Sequence, residues 1–171
     1  MNDHFPYDPD GPPVPISVWR APTAGAGETL SPPLAHRLLA ALIRRRRIIF
    51  DLTTGEQIAR TAAQFRCRYA AHTSTTLAAE PWRAHLIITG RPQPGISVGR
   101  LMAGCAARLL PGCPVAVVLS GADFLVIQTV IAAARTAGLT YRHHIVAAEQ
   151  TPPAALLSIH TDVLVFTRNR R

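Results

Sequence analysis

Residues 48–59 read IIFDLTTGEQIA, and the reading of this stretch decides the fold. Two isoleucines followed by a phenylalanine have the β-branched and aromatic bulk that suits a strand, and an apolar run without polar alternation suits one covered on both faces. Asp51 and Leu52 close the run, Thr53, Thr54 and Gly55 supply turn chemistry, and GEQIARTAAQF (55–65) resumes apolar residues at helical spacing. Strand, glycine-bearing turn and helix make one βα unit.

The pattern extends in both directions. Upstream, Leu34, Leu38, Leu39, Leu42 and Ile43 fall on one helical face behind SPP, which predicts a helix over 33–46 with Ser31 as cap and prolines in the first turn. Residues 1–32 are rich in Pro and Gly, with one apolar island, VPISVW (14–19), and read as an extended arm. Downstream, RCRYAAH predicts a second strand ending near His72, HLIITG a third, SVGRLMAGCAARLL a helix stopped by PGCP, and VAVVLS a fourth strand. A helix over 122–137, closed by Gly138, precedes two strands, TYRHHIVAA and TDVLVFTR, which are joined through a Pro-rich loop with no helix between them. Such a pair is free to run antiparallel. The expectation is an α/β, Rossmann-like, doubly wound and mainly parallel sheet over 33–168, with a C-terminal antiparallel pair and a basic tail at 169–171.

The composition is that of one folded domain. Of 171 residues, 48% are apolar and 16% charged, enough to bury a core and too little charge for a disordered chain. Basic residues outnumber acidic ones by 18 to 10, and all of them are arginine. That surplus favours a polyanion partner, and an Arg, Ala and Pro excess also follows from codon bias, so charge alone leaves nucleic-acid contact open. Cys67, Cys105 and Cys113 form no C-x-x-C pair and read as small buried residues in a reducing compartment. The first fifteen residues lack a basic and an apolar block, and no apolar run reaches spanning length, which predicts a soluble cytoplasmic protein without membrane contact.

The order of elements resembles the class I S-adenosylmethionine (SAM)-dependent methyltransferases, and more specifically the DNA and RNA amino-methyltransferases, the DNA modification methylase group. LAHRLLAALIRRRRIIFDLTTGEQIA (34–59) stands where that group has a helix and DPxCGxGTT, and LIITGRPQP (86–94) where it has (D/N/S)PP(Y/F). The arm segment PVPISVW resembles the opening of some bacterial methylase-like proteins, which implies docking over the sheet. The resemblance implies SAM as cofactor, held by glycines that let it approach the first turn. Asp51 and Gly55 match; the second glycine is Gln57, followed by Ile58 and Ala59. Thr73 stands where an acid normally takes the ribose hydroxyls, beside His72, and the stretch from Thr73 to His85 is too short for the usual helix and third strand. One edge strand is therefore expected to be missing.

The catalytic tetrapeptide of the family holds an exocyclic amine with polar acceptors while its aromatic ring stacks on an extruded base. Here the matching loop is Thr89, Gly90, Arg91, Pro92 and Gln93, with neither the acidic or amide acceptor nor the ring. The resemblance therefore implies a methyltransferase-like protein with degenerate motifs, SAM binding being either kept or lost. The alternative is a non-catalytic module that binds nucleic acid or a protein partner. Arg44, Arg45, Arg46 and Arg47 are the candidate phosphate contacts, alone or with the C-terminal arginines; their other reading is a helix end complementing its dipole. His143 and His144 point to opposite faces of a strand, one exposed and one buried, and no third residue stands at a metal-ligand spacing. Ser120 or Asp123 is read as a helix cap, and Trp19 and Trp82 as packing anchors.

Overall fold

The computed structural model describes residues 13–150 and 157–170. Residues 1–12 of the expected arm, the Pro-rich loop at 151–156 and Arg171 of the tail lie outside the described residues. The elements are β1 (Ile16–Arg20), α1 (Pro32–Leu42), β2 (Ile48–Leu52), α2 (Gln57–Gln64), β3 (Arg68–Ala71), α3 (Ser74–Ala79), β4 (Leu86–Thr89), α4 (Val98–Arg108), β5 (Pro114–Ser120), α5 (Phe124–Thr136), β6 (Leu139–Gln150) and β7 (Leu157–Arg168). Among the described residues the strands form one sheet in the order β1-β6-β7-β5-β4-β2-β3. Only β7 runs against its neighbours, β5 and β6.

Strand alternation divides the core into two layers. Leu86, Ile88, Ala116 and Val118 face α1 and α2, while Ile87, Val115, Val117 and Leu119 face α4 and α5. All four residues of β4 are buried, as an apolar run in a doubly covered parallel sheet requires. β2 does the same with Ile49 on one side and Phe50 on the other.

The edges depart from expectation in an informative way. β3 pairs with β2, and the six-residue α3 leads from it directly to β4 on the other flank of β2. No strand lies beyond β3 among the described residues, as the shortness of the Thr73–His85 stretch predicts. The arm's island does not dock over the sheet. It pairs in parallel with β6 from Ile16↔His144 to Arg20↔Ala148 and so extends the opposite edge. β6 is long enough to carry both neighbours, and its backbone groups on the β1 side would otherwise be unpaired.

Local stops also differ. Helix α1 ends at Leu42, not 46, because Ile43 turns into the core with an extended backbone and Arg46 takes a positive φ of 62°. The four arginines therefore form the turn into β2 rather than a last helical turn. Ser31 sits at the N-cap position without a side-chain cap bond, since Pro32 and Pro33 lack the N–H groups it would meet first. Asp123 does cap α5, accepting from Val126 N at 2.9 Å. Gly138 follows α5 at φ 79°, where glycine is least strained. Cys105 is fully buried and its thiol pushed up to about 12 by burial, while Cys67 and Cys113 are half-buried. Trp19 packs on the core with Arg37 over its ring at 4.6 Å, but Trp82 is 68% exposed and anchors nothing.

These positions separate in a denaturation experiment. Phe166→Ala, which empties a site of 0% exposure, is expected to cost about 3–5 kcal/mol in urea unfolding, and Trp82→Ser to stay within about 0.5 kcal/mol of the parent. At pH 8 a thiol reagent is expected to label Cys105 only after denaturant is added.

Candidate functional site

In a parallel sheet the crevice for a ligand opens where the strand order reverses, outside the C-terminal ends of the strands. Here that point lies between β2 and β4, which are adjacent up to Leu52↔Thr89. Asp51, Gly55, Gly90 and Arg91 all surround it, and Thr73 stands at the top of β3 beside it.

Asp51 is 2% exposed and its carboxylate is already fully engaged. Oδ1 accepts from Thr53 N at 2.8 Å and Thr53 Oγ1 at 2.6 Å, and Oδ2 accepts from Tyr69 Oη at 2.8 Å. Burial raises the Asp51 pKa above the usual carboxylate range, and the Thr53 and Tyr69 bonds oppose that shift. Burial and the neighbouring Asp51 together hold the Tyr69 hydroxyl in its protonated, donating form. Asp51 thus ties the first turn to β3.

The glycines of the crevice face the protein's own chain. A side chain on Gly55, whose φ is 97°, would meet Glu28 Cγ at 3.2 Å, and one on Gly90 would meet Thr29 Cγ2 at 3.3 Å. Thr29 is stitched to the turn after β2 by Thr29 N donating to Thr54 O at 3.1 Å and Thr54 N donating to Thr29 Oγ1 at 2.9 Å. Gln57 Nε2 donates to Glu28 Oε1 at 2.8 Å. Gln57, where the resemblance expects a second glycine, therefore holds the segment that fills the space over Gly55. Residues 28 and 29 were not legible as site residues, although GAGETL (25–30) shows a glycine-rich bend immediately before α1.

The other expected site residues are placed but not free. Thr73 caps α3: its Oγ1 accepts from Thr76 N at 3.2 Å, and Thr76 Oγ1 accepts from Thr73 N at 2.8 Å. Beside it, His72 stacks edge-on against Phe50 at 4.7 Å and lies 3.5 Å from the Glu80 carboxylate. Thr89 is buried, with Oγ1 donating to Gly90 O at 3.3 Å. Arg91 Nη2 donates to Ser120 O at 3.2 Å, Pro92 is half-buried, and Gln93 is exposed with its carbonyl accepting from Ile96 N at 3.0 Å. No aromatic side chain belongs to this loop. A guanidinium tied to the end of β5 stands in place of the ring that would stack on a base.

Outside the crevice, His143 and His144 are both half-buried, one against Ser17 Oγ at 2.8 Å and the other against Asp162 Oδ1 at 2.8 Å. The expected split into one exposed and one buried histidine is not found, because β1 covers the flank of β6 that would have been open. Arg44, Arg45, Arg46 and Arg47 lie at the opposite end of the sheet, at the start of β2. Near them His85, in contact with Arg47 Nη1 at 3.2 Å, has its pKa lowered by burial and by the Arg47 charge.

No sequence-family model matches the chain, and no curated protein is similar to it in sequence. Solved structures are similar in fold. A methyltransferase from Pyrococcus furiosus superposes with a TM-score of 0.60 at 12% identity, over 87% of this chain and 88% of that one. TrmN from Thermus thermophilus gives 0.50 at 17% identity over 82% of this chain, which spans about half (49%) of the TrmN chain. A chain of the complex between the Haloferax volcanii Trm112 methyltransferase activator and a methyltransferase gives 0.54 at 11% identity, over 80% and 89%.

Two titrations follow from these environments. Since the folded-state pKa of Asp51 is raised, its contribution favours the fold below the ordinary carboxylate pKa and is lost as pH rises through the folded value. Wild-type stability relative to Asp51→Asn is therefore expected to fall as pH rises above about 4, measured by urea unfolding over a pH series. For His85 the sign is opposite: its folded pKa is lowered, so its contribution is present above about 6.5 and lost as pH falls through the folded value. By NMR the His85 ring is expected to titrate below the ordinary imidazole and to move back toward it in Arg47→Ala. What this chain shares with these solved structures is the α/β, Rossmann-like fold, which is structurally similar to that of the class I SAM-dependent methyltransferases.

Proposed function

We propose that this chain is a methyltransferase-fold protein, related to the DNA and RNA amino-methyltransferases, that no longer transfers methyl groups and works as a non-catalytic module. The observation that carries the reading is the seating of Glu28 and Thr29 against Gly55 and Gly90. In a working domain of this kind, glycine at the first turn lets the methionine part of SAM lie against the backbone. Here the same permissiveness admits the protein's own side chains, held by Gln57 and Thr54. The residues present therefore do not fit the cofactor: its place at the turn is taken, Asp51 is bonded on both oxygens, and Thr73 is spent on a helix cap.

The loop after β4 supports the same reading. Holding an exocyclic amine against a methyl donor needs acceptors for its protons and a flat surface for the base. Gly90, Arg91, Pro92 and Gln93 offer a tethered cation instead.

Calorimetry on the full chain tests this. Neither SAM nor its demethylated product is expected to give saturable heat at about 1 mM, a concentration well above ordinary cofactor dissociation constants. Saturable micromolar binding, with transfer of labelled methyl groups to DNA or RNA, overturns the proposal.

A further inference from the structure

Arginine and carboxylate are segregated to opposite ends of this sheet. Because β2 to β6 run parallel and β7 runs against them, the starts of those strands share one edge with the end of β7. Arg44, Arg45, Arg46 and Arg47 precede β2, Arg68 opens β3, and Arg168 closes β7. Arg142 lies near the start of β6 and Arg170 just past β7, while Arg66 and Arg83 occupy the turns that lead back to the same edge.

The two arginine runs that are far apart in sequence meet here. Arg68 N donates to Arg47 O at 2.8 Å. Burial pushes the Cys113 thiol up, and the charges of both Arg47 and Arg170 reach it and pull it down. Most carboxylates lie elsewhere. Glu28, Asp51, Glu56, Asp123 and Glu149 stand at the crevice end, Asp162 is bonded to His144, and Glu80 is turned toward His72. Among the described residues the one carboxylate near the arginine edge is Glu80, which lines a cavity with Arg68 and Trp82.

Helix dipoles account for part of this. Arg108 and Arg135 occupy last helical turns, where a cation is favoured. They do not account for the turn at 44–47 or for Arg142 and Arg170, which belong to no helix. The side chains of Arg44, Arg45 and Arg46 have no hydrogen bond or ion pair among the described residues, and all three are exposed. Arg142, Arg168 and Arg170 line one open groove of about 400 Å³ together with Gly112, Thr167 and Asn169. Arg168 is anchored on Leu109 O, and Arg142 Nε donates to Thr167 Oγ1 at 3.1 Å, so the groove wall is held in shape. Among the described residues Glu80 is the one carboxylate near these cations, so most of their repulsion is uncompensated there, which is the footprint of a surface completed by an external polyanion.

The remaining surface chemistry selects the kind of polyanion. A membrane surface would be met by exposed apolar residues beside the cations. Phe124, Leu125, Leu157 and Ile159, exposed between 43% and 74%, all lie at the crevice end, Ile16 and Val18 are exposed on the edge strand β1, and beside Arg68 the exposed large side chains are Trp82 and, at 37%, Tyr69. Trp82 and Tyr69 line one cavity with Arg68 and Glu80 and offer a small stacking surface.

We propose that the arginine edge docks the phosphodiester backbone of a nucleic acid, on the side of the sheet away from the cofactor crevice and without reading base edges. This goes beyond the loss of methyl transfer and does not depend on it. Binding is driven by counterion release, so it is steeply salt-dependent and indifferent to sequence.

The test is fluorescence anisotropy of the full chain with labelled duplex DNA and hairpin RNA of about 20 nucleotides, over a series of salt concentrations, with SAM absent. The wild type is expected to bind both at low salt, with affinity falling linearly in log–log form; unequal affinities identify which backbone is preferred. Arg44→Gln, Arg45→Gln and Arg46→Asn combined, with Asn suited to the positive φ at 46, are expected to weaken binding by about tenfold or more and to flatten the salt slope by about one per lost phosphate contact. Arg142→Ala with Arg170→Ala is expected to act in the same direction. Arg60→Ala with Arg100→Ala, at the crevice end, removes equal charge and is expected to change affinity by less than about twofold. Circular dichroism and thermal melts establish that each variant is folded. Equal losses from both ends, absence of binding at about 50 mM salt, or binding to phosphatidylserine vesicles but to neither oligonucleotide overturns the proposal.

Discussion

A strand buried on both faces can meet solvent or a ligand only at its two ends, and the central strands β2, β4 and β5 are of this kind. Everything functional in this protein is arranged by that constraint. Side chains in the interior of these strands fill two apolar layers. What the strands deliver is position: one edge of the sheet gathers the turns that follow them, and the other gathers the turns that precede them. The first edge holds Asp51, Gly55 and the loop from Thr89 to Gln93; the second holds the arginines.

The two edges have been treated differently. At the crevice Gly55 has a positive φ and position 90 is glycine, the features that the resemblance associates with a cofactor turn. Yet the polar groups around them are satisfied within the protein, by Thr53 and Tyr69 for Asp51 and by Thr76 for Thr73. Satisfied polar groups make a rigid, self-contained surface rather than a receptive one. At the arginine edge the reverse holds, since exposed guanidinium groups stand together with Glu80 as the one nearby carboxylate among the described residues.

How much of this is visible in the sequence depends on the range of the interaction. The βα alternation is legible because IIFDL, LIIT and VAVVLS carry their burial in their composition, and the antiparallel pair follows from the missing helix between TYRHHIVAA and TDVLVFTR. The missing edge strand is a matter of counting residues between Thr73 and His85. By contrast, helix α3 in STTLAA is too short for periodicity to show, and its cap at Thr73 has the look of a site residue. The arginines at 44–47 continue a helical pattern without Gly or Pro, so only the inward turn of Ile43 ends the helix. Glu28 and Thr29 owe their importance to Gln57 and Thr54, and β1 owes its place to β6. Such contacts leave no local trace, since each partner alone reads as ordinary surface.

The pairing of β1 with β6 joins Ile16 to His144, nearly the whole length of the chain apart. A contact of such sequence separation is costly to close and belongs among the last to form. During synthesis β1 emerges well before its partner β6, and with it waits the bend that carries Glu28 and Thr29 into the crevice. β1 also covers five of the twelve residues along the outer side of β6. Long open borders invite pairing between copies, and short ones discourage it. The segment that carries Glu28 and Thr29 into the crevice thus follows, after residues 21–27, on the strand that covers part of this border.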